Sequence, residues 1–230
     1  MPARLRGERL LNHMGLALST GAGCILVMSA RPLGLVHGLT ISLGYISLIL
    51  VVASLVIGPA KLLGRRRNPV NINLRRDMGI WAGITGLLHV FFGLQIHVGG
   101  QILLYFFTRT ANGGYAPQLN LFGLGNYVGL AATLLVALLL TLSNDVSLRR
   151  LKGPRWKAWQ RLNYLLLVLV VTHMLLYQEV VLRDTIIRQA SYVVVAVALA
   201  AQAAGFYLYR RKRRASARSA PRPATPPQSP

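Results

Sequence analysis

The stretch VHGLTISLGYISLILVVASLVIGPAKLLGRRR, residues 36–67, runs for 25 residues without an Asp, Glu, Lys or Arg and then turns abruptly basic. A helix needs ~20 predominantly apolar residues to cross the ~30 Å hydrocarbon layer of a bilayer. In lipid the backbone must satisfy its own hydrogen bonds, so a run of this length reads as a membrane-spanning helix. Five more stretches of similar character follow or precede it, at roughly 12–30, 78–98, 123–143, 157–181 and 186–209. With 53% hydrophobic residues, five acidic side chains in 230 and a mean hydropathy of +0.47, the chain is set apart from soluble globular domains. The expected fold is an all-α integral membrane protein, a bundle of six transmembrane helices.

Charge orients the spans, because basic residues are retained on the cytoplasmic side. Arg4, Arg6 and Arg9 precede the first span, and Lys61, Arg65, Arg66, Arg67, Arg75 and Arg76 fill the second connection. A third group from Arg149 to Arg161 surrounds the fourth connection, and a fourth from Arg210 to Arg222 follows the last span. Together these hold 22 of the 26 Lys and Arg residues, which places both termini in the cytoplasm. The N-terminal 30 residues have the basic start and apolar centre of a signal peptide, but removing them would invert the charge pattern, so a retained first helix is expected. The net charge of +21 is dispersed over membrane-flanking loops, without an aromatic platform, and is read as topological anchoring with attraction to anionic lipid, with no nucleic-acid partner. A single cysteine, Cys24, excludes an intramolecular disulfide and a cysteine-based metal site.

The organisation is a basic N-terminus (1–11), one membrane domain (12–209) and a basic tail (210–230) rich in Pro, Ala and Ser, expected to be disordered. The connection 99–122 is expected to lie along the outer surface as a short amphipathic or re-entrant segment. Nothing resembles a dinucleotide fingerprint, a phosphate loop or a nucleophile elbow.

Against this background two histidines stand out. His89 lies 13 residues after Arg76 and His173 lies 12 after Arg161, on spans that run in the same direction. At 1.5 Å per residue those separations are ~20 and ~18 Å, so the two imidazoles are predicted at nearly equal depth. Polar side chains at such depth are functional candidates, with interhelical hydrogen bonding as the structural alternative. Gly79, Ala82, Gly86 and Gly93 fall within ~80° of His89 around its helix, a stripe in which Gly86 and Gly93 would clear room for a flat ligand. Two histidines without carboxylate or thiolate underfill a bare metal ion, whereas haem brings four nitrogens and asks for two axial ligands. One b-type haem held by His89 and His173 is therefore the expected cofactor. His97 and His37, at the outer interface, are weaker candidates to assist a quinone, a metal or haem propionates. Arg109, Arg183 and Arg188 are candidate propionate partners, since guanidinium pairs well with carboxylate.

The segment RRDMGIWAGITGLLH (75–89), together with LSNDVSLRRLKGPRWKAWQRLNYLLLVLVVTH (142–173), resembles the ferric reductase-like transmembrane domain family. Bacterial members of that family include the haem-binding subunit of the methionine sulfoxide reductase system. The resemblance covers about 75–177 best. It carries the ligand role onto His89 and His173, with Ser143, Asn144, Gly153, Trp156, Arg161, Leu162 and Tyr164 falling where the family pattern has them. Many relatives place a histidine early in the fifth span, where this chain has Gln160; the resemblance therefore supports one haem and speaks against a second nearer the cytoplasm.

The resemblance implies electron transfer across a membrane, the bacterial inner membrane being expected. A quinol or a separate flavoprotein would be the donor, and an external acceptor or partner protein would take the electrons. The competing reading is a haem-free polytopic transporter or scaffold subunit with structural histidines, which accounts for the glycines and charges but not for the matched depth. A diheme quinone-linked cytochrome is a third, weakened by the shortage of paired intramembrane histidines.

Overall fold

The computed structural model describes residues 3–30, 33–63, 72–182 and 185–218. Seven helices make up most of it: α1 (Ala3–Ser29), α2 (Leu35–Leu63), α3 (Ile72–Gly93), α4 (Leu121–Leu142), α5 (Asp145–Gln160), α6 (Leu162–Tyr177) and α7 (Thr185–Arg218). Among the described residues five segments are long and apolar enough to cross a membrane: Gly7–Ser29, Leu35–Ala60, Leu121–Leu142, Ala158–Val180 and Gln189–Arg211. This is the architecture of an all-α, multi-pass membrane protein. The helix α3 has a similar length, 22 residues, but carries Arg75, Arg76 and Asp77 in its first turns.

Helix α2 is the centre of the bundle and packs against α1, α3, α6 and α7, while α4 packs against α3 and α6. Leu48, Val51, Val52 and Leu55 of α2 meet Ala82 of α3, Val136 and Leu139 of α4, Leu166 and Leu167 of α6, and Ala198 of α7 in one buried cluster. Pro59 interrupts α2 and has no N–H, which frees the carbonyl four residues earlier. That carbonyl, Leu55 O, accepts instead from Gln202 Nε2 of α7 at 2.8 Å. A side chain on Gly205 would stand 2.9 Å from the Pro59 ring, so the same glycine lets α7 close on the proline. A polar pair is thus explained by a backbone defect on the neighbouring helix.

The basic end of the bundle is tied by charge. Asp77 is fully buried and accepts from Arg9 Nε at 3.2 Å, Arg9 Nη2 at 3.0 Å and Asn12 Nδ2 at 3.1 Å, with His13 Nε2 at 3.4 Å. Trp81 Nε1 donates to His13 Nδ1 at 3.0 Å, so α1 is held to α3 by a polar clamp rather than by apolar burial. Arg76 Nε donates to the Ser143 carbonyl at 2.9 Å, satisfying the C-terminal end of α4.

Two segments differ from expectation. The 99–122 connection forms two short 3-10 turns (Val98–Gly100 and Ile102–Tyr105) and a small antiparallel ribbon, β1 (Phe107–Arg109) with β2 (Tyr115–Pro117). Gly113, with φ of 78°, supplies the left-handed residue its turn requires. The tail also departs: α7 continues as helix through Arg218 instead of ending near 209. Its Arg- and Lys-rich last turns suit a helix C-terminus, where cations meet the negative end of the dipole. Residues 219–230 lie outside the described residues.

Candidate functional site: a histidine pair at the centre of four helices

Helices α3 and α6 run parallel and bring His89 and His173 together, with ring centroids 6.2 Å apart and planes at 82°. Each ring is fixed by a neighbouring antiparallel helix in the same manner. His89 Nδ1 donates to the Thr40 carbonyl of α2 at 2.7 Å, and His173 Nδ1 donates to the Gly125 carbonyl of α4 at 2.8 Å. A carbonyl only accepts, so each Nδ1 carries the proton and each Nε2 keeps its lone pair.

The sequence explains why those carbonyls are reachable. Four residues after Thr40 comes Gly44, and four after Gly125 comes Gly129. In a helix the carbonyl of residue i points toward residue i+4, so a glycine there uncovers it. A Cβ on Gly44 would lie 2.8 Å from His89 Nδ1 and 3.0 Å from its Cε1. On Gly129 it would lie 2.7 Å from His173 Nδ1 and 2.8 Å from its Cε1. Both imidazoles therefore rest on bare helix backbone.

The predicted glycines sit elsewhere. Gly86 faces Ser47 of α2, whose hydroxyl would be 3.0 Å from a Cβ, and Gly93 faces the Thr40 methyl at 3.4 Å. Ser47 Oγ also donates to the Ala82 carbonyl at 2.9 Å, so this side of α3 is the close seam with α2.

The spacing of the pair can be compared with that of two imidazoles bound to one metal. An imidazole nitrogen binds a transition metal at ~2.0–2.1 Å and lies ~1.1 Å from its own ring centre, so two rings on opposite sides of one metal have centroids ~6.3 Å apart. The observed 6.2 Å agrees. Nδ1–H bonded to a carbonyl is also the usual outer support of a ligating histidine, fixing its tautomer and raising its basicity. Among the described residues no group of three or more His, Cys, Asp or Glu could hold a bare metal ion.

His97 lies beyond α3 in an aromatic cluster, its ring 5.6 Å from Phe122, 6.2 Å from Tyr177 and 6.4 Å from Tyr105. Tyr177 in turn lies 4.8 Å from His173. Burial, and then the nearby His37, hold the His97 pKa below the usual imidazole value, while burial raises that of Tyr105. His37 is half-buried in the first turn of α2. Arg109 is exposed on β1 and donates to Gln101 Oε1 at 3.1 Å, so its guanidinium serves the loop itself. Arg183 and the side chain of Arg188 lie outside the described residues.

Gln160 closes α5 at the basic end, beside a small cavity of about 30 Å³ among Ser54, Gly79, Ser143 and Asn163. Its Oε1 accepts from Asn163 Nδ2 at 3.3 Å, and its buried Nε2 has no partner among the described residues.

Thr40, Gly44, Gly125, Gly129 and Tyr177 escaped the sequence reading. The signal was present as small residues four apart, T-I-S-L-G and G-N-Y-V-G, the spacing that lets membrane helices approach closely.

The class these features define is a polytopic helical membrane protein with a half-buried histidine pair between parallel helices. Comparison with known proteins adds no family: no family model, no curated protein and no solved structure matches the chain.

Proposed function

We propose that this chain is a b-type haem electron-transfer protein of the membrane, in which His89 and His173 would hold the haem. The observation that carries the reading is the 6.2 Å pairing of two imidazoles whose Nδ1 atoms are both committed to helix carbonyls. When bound, the haem supplies a reversible one-electron change at its iron. The chain's own residues do the rest. Thr40 and Gly125 hold the ring orientation through their carbonyls, and Gly44 and Gly129 give the rings their seats.

The resemblance of 75–177 to ferric reductase-like transmembrane domains supports the same reading. Within it both termini face the cytoplasm, the 94–120 loop faces outward, and the membrane is the bacterial inner membrane. A quinol or a separate flavoprotein delivers electrons, an external acceptor receives them, and the basic flanks meet anionic lipid. One haem per chain follows from one histidine pair.

The haem-free reading draws support from the same two bonds, because each ties one helix to its neighbour. It leaves the meeting of the two rings without a cause. A reduced-minus-oxidised absorption spectrum of the purified protein separates the two. A b-type band that His89→Ala and His173→Ala both remove, with the variants still eluting as folded protein, supports the haem; a colourless wild type from haem-replete cells refutes it.

A further inference from the structure

Tyr177 stands one helical turn beyond His173 and connects the histidine pair to the loop end of the bundle. Its ring centroid is 4.8 Å from that of His173, 5.8 Å from Phe122 and 6.2 Å from His97. Phe122 lies 5.6 Å from His97 and 5.9 Å from Tyr105. With the 6.2 Å step from His89 to His173, the rings form a continuous file from the histidine pair to the loop. The other ring pairs among the described residues, Phe91 with Phe92 and Phe106 with Tyr127, are separate from it.

The file is held at both edges. Tyr177 OH donates to Asn126 Oδ1, and Asn126 Nδ2 donates to the Tyr105 carbonyl at 2.9 Å. Tyr105 OH accepts from the His97 N–H at 3.0 Å and donates to the Gly93 carbonyl at 2.9 Å. A Cβ on Gly125 would stand 3.1 Å from Tyr177 Cδ2, so the residue whose carbonyl anchors His173 is also the seat of Tyr177. The two rings are positioned by one backbone element.

We infer that Tyr177, with Phe122 and His97 beyond it, is the bridge by which electrons pass between the His89–His173 site and the loop face. The inference rests on the haem reading of that site. Electronic coupling decays steeply across gaps and less steeply through packed π systems than through aliphatic side chains, so a file of rings in contact is the favoured route. One electron leaves the bis-histidine site and one is gained by a one-electron oxidant at the loop face. No bond forms or breaks, no proton moves, and Tyr177 is itself neither oxidised nor reduced.

The test uses the full haem-loaded chain in membrane vesicles with the loop face outward, reduced with dithionite and then mixed with ferricyanide, which does not cross the bilayer. Reoxidation is followed at the b-type band, beside haem content, band position and midpoint potential. Tyr177→Phe keeps the ring and is expected to reoxidise at close to the wild-type rate. Tyr177→Leu is expected to be slower by an order of magnitude, with haem content, band and potential unchanged. A purely structural role would move those three quantities and would leave the rate of an intact site alone. A wild-type rate in Tyr177→Leu with an intact site overturns the inference. Where Tyr177→Leu disturbs the site, Phe122→Leu, one ring further from His173, decides: slower reoxidation supports the bridge and an unchanged rate overturns it. A wild type without a b-type band is a different result, the failure of the haem reading.

Discussion

A single methyl group on Gly129 probes the site without replacing either histidine. In Gly129→Ala the new Cβ would stand 2.7 Å from His173 Nδ1, whereas ordinary contact begins at 3.4 Å, so the ring must retreat by about 0.7 Å. Retreat from α4 stretches the 2.8 Å bond from Nδ1 to the Gly125 carbonyl to ~3.5 Å, beyond hydrogen-bonding range. Overpacking of this kind costs ~1–3 kcal/mol and the lost bond ~1 kcal/mol, while the better helix propensity of Ala returns up to ~1 kcal/mol. A net destabilisation of ~1–3 kcal/mol follows from those terms. The larger effect is on the ligand, because removing the outer partner of a metal-bound histidine weakens metal affinity ~10–100-fold. The matched control is Gly79→Ala on α3, where a Cβ meets nothing within 4 Å. Haem per chain, measured as the pyridine haemochrome after purification without added haem, is expected to fall in Gly129→Ala and in its counterpart Gly44→Ala, and to hold in Gly79→Ala. Wild-type haem content and band position in both Gly44→Ala and Gly129→Ala would refute the claim that bare backbone seats the rings.

Three other outcomes follow from the same structure. The wild-type pyridine haemochrome is expected to give about one haem per chain, since one histidine pair supplies the two axial ligands of one iron; two haems would refute the single-pair assignment. Asp77→Leu leaves the Arg9 charge without its buried partner and is expected to destabilise the chain by up to ~3–5 kcal/mol, less the screening that Arg9's partial exposure allows, read as a loss of thermal stability in detergent. Gln202→Leu strips the Leu55 carbonyl of the donor that replaces Pro59's missing N–H, at a cost of ~1–3 kcal/mol; Pro59→Ala in that background is expected to restore stability by returning the N–H, and an additive loss in the double variant would refute the compensation.

The long helices were legible because membrane burial imposes one crude requirement, length without charge, and residues 36–60 and 123–143 meet it on inspection. The helix α3 was legible as the apolar stretch 78–98, while Arg75, Arg76 and Asp77 in its first turns dilute the hydropathy of the helix as a whole. The ribbon at 107–117 and the helical continuation to Arg218 were not legible, because a short loop's hydrogen-bond register and a helix's last turns depend on local geometry that hydropathy does not report. The histidine pair was legible from counting residues along parallel helices. Its supports were not: a helical wheel drawn for α3 sees Gly86 and Gly93 on its own surface and cannot see Gly44 on the helix opposite.

That asymmetry bears on function. His89 leans on α2 and His173 on α4, two helices with no sequence relation at the contact, yet each contact consists of a carbonyl, a glycine four residues later and a protonated Nδ1. A histidine needed only to join two helices could use either nitrogen, and any donor or acceptor within reach would serve. A pair needed to present two Nε2 lone pairs to one metal has no such freedom, because both Nδ1 atoms must carry protons and both rings must stop at a fixed separation. The repeated device protonates both Nδ1 atoms and stops the rings at a centroid spacing of 6.2 Å, which supports the haem reading. Losing either glycine should therefore disable both ends of one ligand, and the Gly44→Ala and Gly129→Ala variants should resemble each other in haem loss more closely than either resembles a variant elsewhere on α2 or α4.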